Sequence, residues 1–597
     1  GGFLEGESTS RTEKTFLGSF AVPFSTILAG HKVEGTFRLN TPPYNNGYKR
    51  KAPYKPKPQL PPRTLLGMLG LGGLVSYHER DDLTSVDDEL VSELDWFSCG
   101  PTSTYITIMA TLDPLLSCSP YLDSELARAT TYPPDRPLVS YAQGWIQSLR
   151  SKGMHTKNRK FQCFGTNSDG LSVLVCRYLK AQKPPPGFST RRSIIHLVSL
   201  IPFVQDAQAF VGEFDLWCTM KQMWEIKCGD EEEHAIALYN FLYYLSVHSG
   251  GGDYATSGST KSGSAAGGST KSGSAGGPYA GYPSDAYVSS EELFLVMGQS
   301  VPQGEAVYVM VRTAGRNGKG GSRNKRRDKE EAGAGKGGRK DRGKGTSPQD
   351  FILIDPATGF VYSAADPNCP LRDIGTIATP YNVWANVQRK SLPKDLSFDV
   401  MNSKRWKPLF SARFRPQITN LSSCQDDMAY QPTEQVTCLE VEKVVKSSIK
   451  SHFRKWRSRR PRSVTSFHPD ACDVMTDSLQ DMEDWKIHGG GGRGGGGSGS
   501  NSNINVNSNS VNDALSVIES QATRRLASVL RSHTLRGFPL NLAFTDVDSV
   551  VQSVKELCVH ESNHPDVQFV LAVRAFPLVN GLISLWVYLG TLERERA

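Results

Sequence analysis

Gly229-Asp230-Glu231-Glu232-Glu233-His234-Ala235, running on into Ile236-Ala237-Leu238-Tyr239-Asn240-Phe241-Leu242, is the stretch that decides the fold. Asp230 can cap a helix, and Glu233, three residues on, can reach back to it in a capping box. Acidic residues crowd the first turn, where the helix dipole favours negative charge. The apolar run that follows makes this a core helix, predicted over 231–247. Its first turn therefore sets a dense group of carboxyls at the end of a buried element.

The elements on either side of this helix are mostly strands. Ser172 to Tyr178 reads as a strand, and a Pro184-Pro185-Pro186 turn leads into a helical stretch around 191–201. Beyond the helix, Leu293 to Met297, Ala306 to Val311, Phe351 to Pro356 and Asn382 to Trp384 are β-branched or aromatic runs. A core helix followed by strands gives an α+β domain over about 124–400. Two low-complexity inserts interrupt it. Residues 249–286 repeat Gly-Ser-Thr-Lys-Ser-Gly-Ser-Ala and read as flexible coil. Residues 314–348 hold twelve basic against four acidic residues between Arg316 and Lys344, which equals the whole net charge of +8. With the charge confined to a glycine-rich insert that lacks aromatic residues for base stacking, the composition argues against nucleic acid as a partner.

Residues 1–114 read as β, with strands at Phe16–Phe24, Gly35–Leu39 and Tyr105–Leu112 around a loop insert at about 44–100. A helical segment, 401–488, contains a helix from Thr433 to Arg460. This helix ends in Arg454-Lys455-Trp456-Arg457-Ser458-Arg459-Arg460, a basic and aromatic patch suited to phosphates, lipid head groups or acidic tails. A Gly/Asn/Ser linker, 489–511, precedes a small C-terminal α/β domain, 512–597. That domain is predicted to hold helices around 512–532 and 546–558, then two strands joined through Pro577-Leu578-Val579-Asn580-Gly581.

The chain of 597 residues is long enough for several cores. Eleven scattered cysteines include no C-x-x-C pair, which argues against zinc sites and a disulfide framework. The chain opens Gly1-Gly2-Phe3 without an initiator Met and is expected to be a piece of a longer protein. The apolar stretch from Val567 to Leu592 is broken by Arg574, Pro577 and Asn580, a pattern unsuited to a membrane span.

The acidic helix start resembles that of transglutaminase-like and papain-like cysteine proteases, whose nucleophilic cysteine stands two residues after the glycine. Glu231 occupies that place here. The resemblance further sets Ala306, two residues before Tyr308, where such folds carry the histidine, and Asp355 where they carry the acid. A thiol hydrolase needs a nucleophile within reach of its base, so this triad is degenerate and the domain is expected to bind rather than cut. An active peptidase or transglutaminase with a relocated thiol, Cys228 or Cys218, is the alternative. Glu231 and His234 form an E-x-x-H pair, but a di-metal site needs a second such pair, and the sequence offers none. No cofactor or metal is expected.

Several motifs in order resemble one family. They are Thr12 to Gly18 leading to Pro23-Phe24-Ser25-Thr26-Ile27; Ser199-Leu200-Ile201-Pro202-Phe203; Asp215-Leu216-Trp217; Gly229 to Ala235; Cys369-Pro370-Leu371; Asn382 to Gln388; Arg536-Gly537-Phe538-Pro539-Leu540; and Ser584 to Tyr588. Together they are similar to the coiled-coil and C2 domain containing protein 2A family, whose members stand at the ciliary transition zone. The resemblance implies a multi-domain fold: a partial C2 β-sandwich, an α+β transglutaminase/papain-like domain, and a small C-terminal α/β domain. It implies a scaffold of the cilium base and basal body on the cytoplasmic side, working with B9-domain and tectonic-type proteins of the Meckel–Joubert module. The C2 part would meet protein or a membrane surface without calcium. The degenerate cleft would take a peptide or a tubulin tail.

Overall fold

The computed structural model describes residues 16–22, 26–27, 32–41, 104–113, 130–131, 135–151, 153, 156, 159–206, 215–248, 293–312, 348–411, 421–458, 465–488, 528–562 and 567–594. The inserts at about 44–100 and 249–286, residues 314–347 and the linker 489–511 lie outside them. So do 512–527, most of the helix predicted over 512–532.

Near the start, β1 (Lys32–Arg38) pairs antiparallel with β2 (Tyr105–Thr111). Residues 16–22 form no strand; Ser19 makes an isolated bridge to Asn40. A small sheet follows, in which β5 (Leu171–Leu174) lies between β3 (Thr130–Thr131) and β4 (Phe164–Thr166). The strand predicted to Tyr178 stops at Leu174, and Val175–Tyr178 tightens into a 3-10 turn. Helix α1 (Arg136–Arg150) precedes β4, and Leu138, Ala142 and Leu149 recur at helical spacing on its buried side.

Three further helices set up the central core. Thr190 caps α2 (Arg191–Ser199) in a capping box with Ser193, and Thr219 caps α3 (Met220–Ile226) in one with Gln222. The third, α4 (Glu231–His248), is the helix expected from its acidic start, and Ala235 to Leu242 are buried without a break. It lies against a seven-stranded antiparallel sheet: β6 (Leu293–Ser300), β7 (Gly304–Arg312), β8 (Phe351–Ile354), β9 (Val361–Ser363), β10 (Leu371–Thr379), β11 (Asn382–Asn386) and β12 (Trp406–Pro408), in the order β12-β11-β10-β6-β7-β8-β9. The sheet continues past residue 400, because Trp406 to Pro408 pairs with β11. Alternation along β6, β7 and β8 divides two faces. Leu295, Met297, Val307, Val309, Val311, Ile352 and Ile354 share one core with α4. Phe294, Val296, Ala306, Tyr308, Met310, Phe351 and Leu353 form another on the far side.

The helical segment and the C-terminal domain are one unit. Its sheet runs β13 (His533–Ala543), β15 (Ile583–Arg594), β14 (Gln568–Pro577). Helices α5 (Gln435–Arg457) and α7 (Val547–Glu556) pack on one face through Val445, Ile449, Phe453, Val550 and Val554. Helix α6 (Pro469–His488) covers the other through Cys472, Met475 and Leu479. The β14–β15 connection has Asn580 and Gly581 at φ 54 and 81, the left-handed pair that a tight hairpin connection favours. Its Leu578, Val579 and Leu582 are buried in the core of α4, so the unit is anchored on the central one. Gln431 and Asn580 close that contact with two hydrogen bonds of 2.7 Å.

Candidate functional site

The start of α4 gathers the acidic residues, and main-chain donors hold them in place. Glu233 reaches back to accept from Asp230 N–H at 3.1 Å, one half of the expected capping box. Its other oxygen accepts from Cys218 N–H at 2.7 Å. The Asp230 carboxylate accepts from Glu232 N–H at 3.3 Å instead of from the N–H of Glu233. Asp206 accepts from Leu216 N–H at 2.5 Å. Gly229 is required here, because a Cβ would stand 2.7 Å from Glu233 Cβ. Asp206, Asp230 and Glu233 converge so that one ligand atom from each lies within 4.8 Å of the others. Each of these three carboxyls also accepts from a main-chain N–H group.

Glu231 sits half-buried in this group. Burial, then the neighbouring Asp230, push its carboxyl up to about 8, with Asp215 and Glu305 adding to the shift. Burial and Asp230 likewise raise Asp206 to about 7. Glu232 and Glu233 are raised well above the ordinary range, by burial first and by neighbouring carboxyls next. Near neutrality much of this cluster therefore holds protons.

No thiolate stands ready beside it. Burial raises the Cys218 thiol to about 12, with Glu233, Asp206 and Asp230 acting in the same direction. Cys228 is raised as well, by burial and then Asp206. Thiols at such values are poor nucleophiles. His234 is fully buried, with Nδ1 2.6 Å from Asp230 O and Nε2 3.1 Å from Ile201 O. A neutral imidazole donates one N–H, so one of these carbonyls is hydrogen-bonded and the other only in contact, and the E-x-x-H histidine is enclosed between main-chain groups. Burial lowers the His234 pKa despite those two contacts.

The structure separates the positions assigned to a triad. Ala306 points away from α4 into the far core, so it does not face Glu231. The neighbouring Glu305 is on the α4 side by alternation along β7, and it pairs with Lys160. The resemblance puts the histidine position at Ala306, but the side chain that β7 turns toward α4 beside it is Glu305, because one step along a strand reverses its face. Asp355 is buried at the end of β8 and accepts from Ala357 N–H (3.2 Å) and Thr358 N–H (3.4 Å) in its own turn. Burial raises its pKa, while His234 and the turn act against the rise. Glu305, Asp206 and Lys160 were missed because each stands alone in sequence and only the fold assembles them.

The basic patch at the end of α5 is divided. Arg454 and Lys455 are exposed, and Trp456 is half-buried beside His560 at 4.9 Å between ring centroids. Arg457 is buried and cannot join a binding surface: its Nη1 donates to His560 O and Ser562 O, each at 2.8 Å, and its guanidinium lies 4.6 Å from the Phe569 ring centroid. Arg459 and Arg460 lie outside the described residues.

Comparison with known proteins places this architecture among relatives. The family described as CEP76 peptidase-like domain matches residues 288–409, a range that contains all seven strands of the central sheet but not α4. The chain is homologous to Protein CC2D2B of Homo sapiens, 23% identical over 98% of this chain and 31% of the human protein. It is also homologous to Coiled-coil and C2 domain-containing protein 2A of Drosophila melanogaster, 22% identical over 50% of this chain and 18% of the fly protein. The chain thus spans less than a third of either relative's length.

Proposed function

We propose that this chain is a non-enzymatic part of a scaffold at the cilium base, in the transition zone, and that its peptidase-like module holds a protein segment without cleaving it. One observation supports the reading: a protonatable carboxyl, Glu231, stands at the helix start where the resemblance would put a hydrolase's sulfur, and the β7 residue that acts on it is Glu305 rather than an imidazole. The module is a degenerate transglutaminase-like fold in this reading, and residues 1–114 belong to a C2 domain on the cytoplasmic side of the membrane. B9-domain and tectonic-type proteins are the proposed partners. Among peptide ligands, an acidic tubulin tail would bring further carboxylates to a helix start already crowded with carboxyls, so a neutral or basic extended segment suits the module better.

The test has two arms. Purified chain is incubated with a thiol-directed activity probe and with peptide and isopeptide substrates. No turnover is expected, and turnover abolished by Cys218→Ala or Cys228→Ala would refute the reading in favour of a relocated-thiol enzyme. In ciliated cells, Glu231→Ala should leave partner recruitment and ciliation intact, whereas removal of residues 124–408 should abolish recruitment. Unchanged pull-down of transition-zone partners after that removal would count against a scaffold role for the module.

A further inference from the structure

Helix α6 offers a second surface, built on other residues than the acidic group at the start of α4. Asp473, Asp477, Asp481 and Asp484 are exposed along one side, spaced three and four residues apart so that the carboxylates share one ridge, and exposed Trp485 at its end carries the Arg192 guanidinium 5.2 Å from its ring centroid. Lys486 is the only Lys or Arg in the helix. At the C-terminal end of the ridge, the seam between the two units leaves a cavity of about 230 Å³. Phe188, Ile487, Phe576, Pro577 and Leu578 supply its apolar walls, and exposed Asp484 also lines it. That volume is below the roughly 300–1,000 Å³ of small-molecule pockets and suits one bulky apolar side chain. The buried polar group of the lining, Glu483, is occupied by His196 (3.2 Å), Ser584 (3.2 Å) and Trp586 (2.7 Å).

We propose that this seam docks a segment of a partner protein, cationic and amphipathic, that seats one aromatic or aliphatic side chain in the cavity and lays its Lys and Arg side chains along the α6 ridge. Charge complementarity selects the occupant. Of the chain's own basic stretches, 316–344 contains no large apolar residue to fill the cavity, whereas 44–63 carries six Lys and Arg with three Tyr and one Leu and is the rival occupant that the test separates. The inference does not depend on the acidic cleft, which lies at the start of α4.

The test uses the full chain and three fluorescein-labelled helical peptides: Lys/Arg-rich with one Phe on the apolar face, the same with Ala for Phe, and a charge-reversed Glu version. Fluorescence anisotropy is read at low and high salt. Binding is expected for the cationic Phe peptide, weakened by salt and by loss of the Phe. The double variant Asp477→Lys/Asp484→Lys should weaken binding about tenfold or more and flatten the salt dependence. Ile487→Trp, which fills the cavity, should weaken binding and leave the salt dependence unchanged; circular dichroism and melting confirm that each variant folds. Equal binding of the charge-reversed peptide, equal binding by folded variants, or failure of the cationic Phe peptide to bind overturns the proposal. Binding that appears only after deletion of 44–63 or of 489–527 overturns it too, since the occupant would then be the chain itself.

Discussion

Replacing Glu231 by Gln should stabilise the protein, and by an amount that grows with pH. Its carboxyl rises from the ordinary 4.5 to about 8 in the folded state. Below the lower value both folded and unfolded chains hold the proton, and the group contributes nothing. Between the two values the unfolded chain ionises while the folded chain keeps the proton, so stability falls as pH rises, and above about 8 the loss is complete. At pH 7 the shift alone corresponds to roughly 3 kcal/mol. Glu231 keeps some contact with solvent and shares its site with Asp230, so about 1–2 kcal/mol is the expected gain from Glu231→Gln. For a module of this size that is a few degrees in Tm. Hydrogen exchange across 231–248, read by mass spectrometry at pH 5 and pH 8 for both proteins, isolates this helix from the rest of the chain. Extra protection in the variant that is larger at pH 8 is the expected result. A variant less protected than the parent, or a difference equal at both pH values, would refute the electrostatic account of the cluster.

Other outcomes follow from groups with defined partners. Arg457→Ala strands two carbonyls and should destabilise the C-terminal unit by about 2–4 kcal/mol in urea unfolding. Arg454→Glu with Lys455→Glu should leave that stability unchanged and reduce binding to anionic vesicles, because both side chains are exposed. Glu483 lies below its ordinary pKa: burial pushes it up, but His196, Trp586 and Lys486 outweigh burial. Glu483→Ala should cost about 3 kcal/mol or more and expose the seam between the units to limited proteolysis. Iodoacetamide at neutral pH should leave Cys218 unlabelled and label Cys228 only slowly, as peptide mapping would check.

Strong local signals in the sequence corresponded to real elements. The acidic cap and apolar run of α4, the runs in β6, β7, β8 and β11, and the Asn580-Gly581 connection all lie where their patterns placed them. What stayed hidden was set by tertiary context. Strand β10 reads Leu-Arg-Asp-Ile-Gly-Thr-Ile-Ala-Thr with no clean alternation, because two register irregularities break its period where it pairs with β6. Strand β13 carries Gly537 and Pro539, residues depleted in strands, yet pairs along its full length with β15. Helix α6 is so acidic on its outer side that its narrow buried stripe gave little contrast. The site was legible only in part: Glu231 and Asp355 could be singled out from their surroundings, whereas Glu305 and Lys160 meet only through chain folding.

The buried contact between His196 and Glu483 ties the two large units into one folding problem. An imidazole from the first unit and an indole from the last answer to the same carboxylate. Cutting the chain anywhere between residues 196 and 483 leaves the buried Glu483 carboxylate without its imidazole partner. A shortened version should therefore be lost to degradation as a whole rather than persist as a half-working platform, and damage far from any docking face should mimic complete absence of the protein.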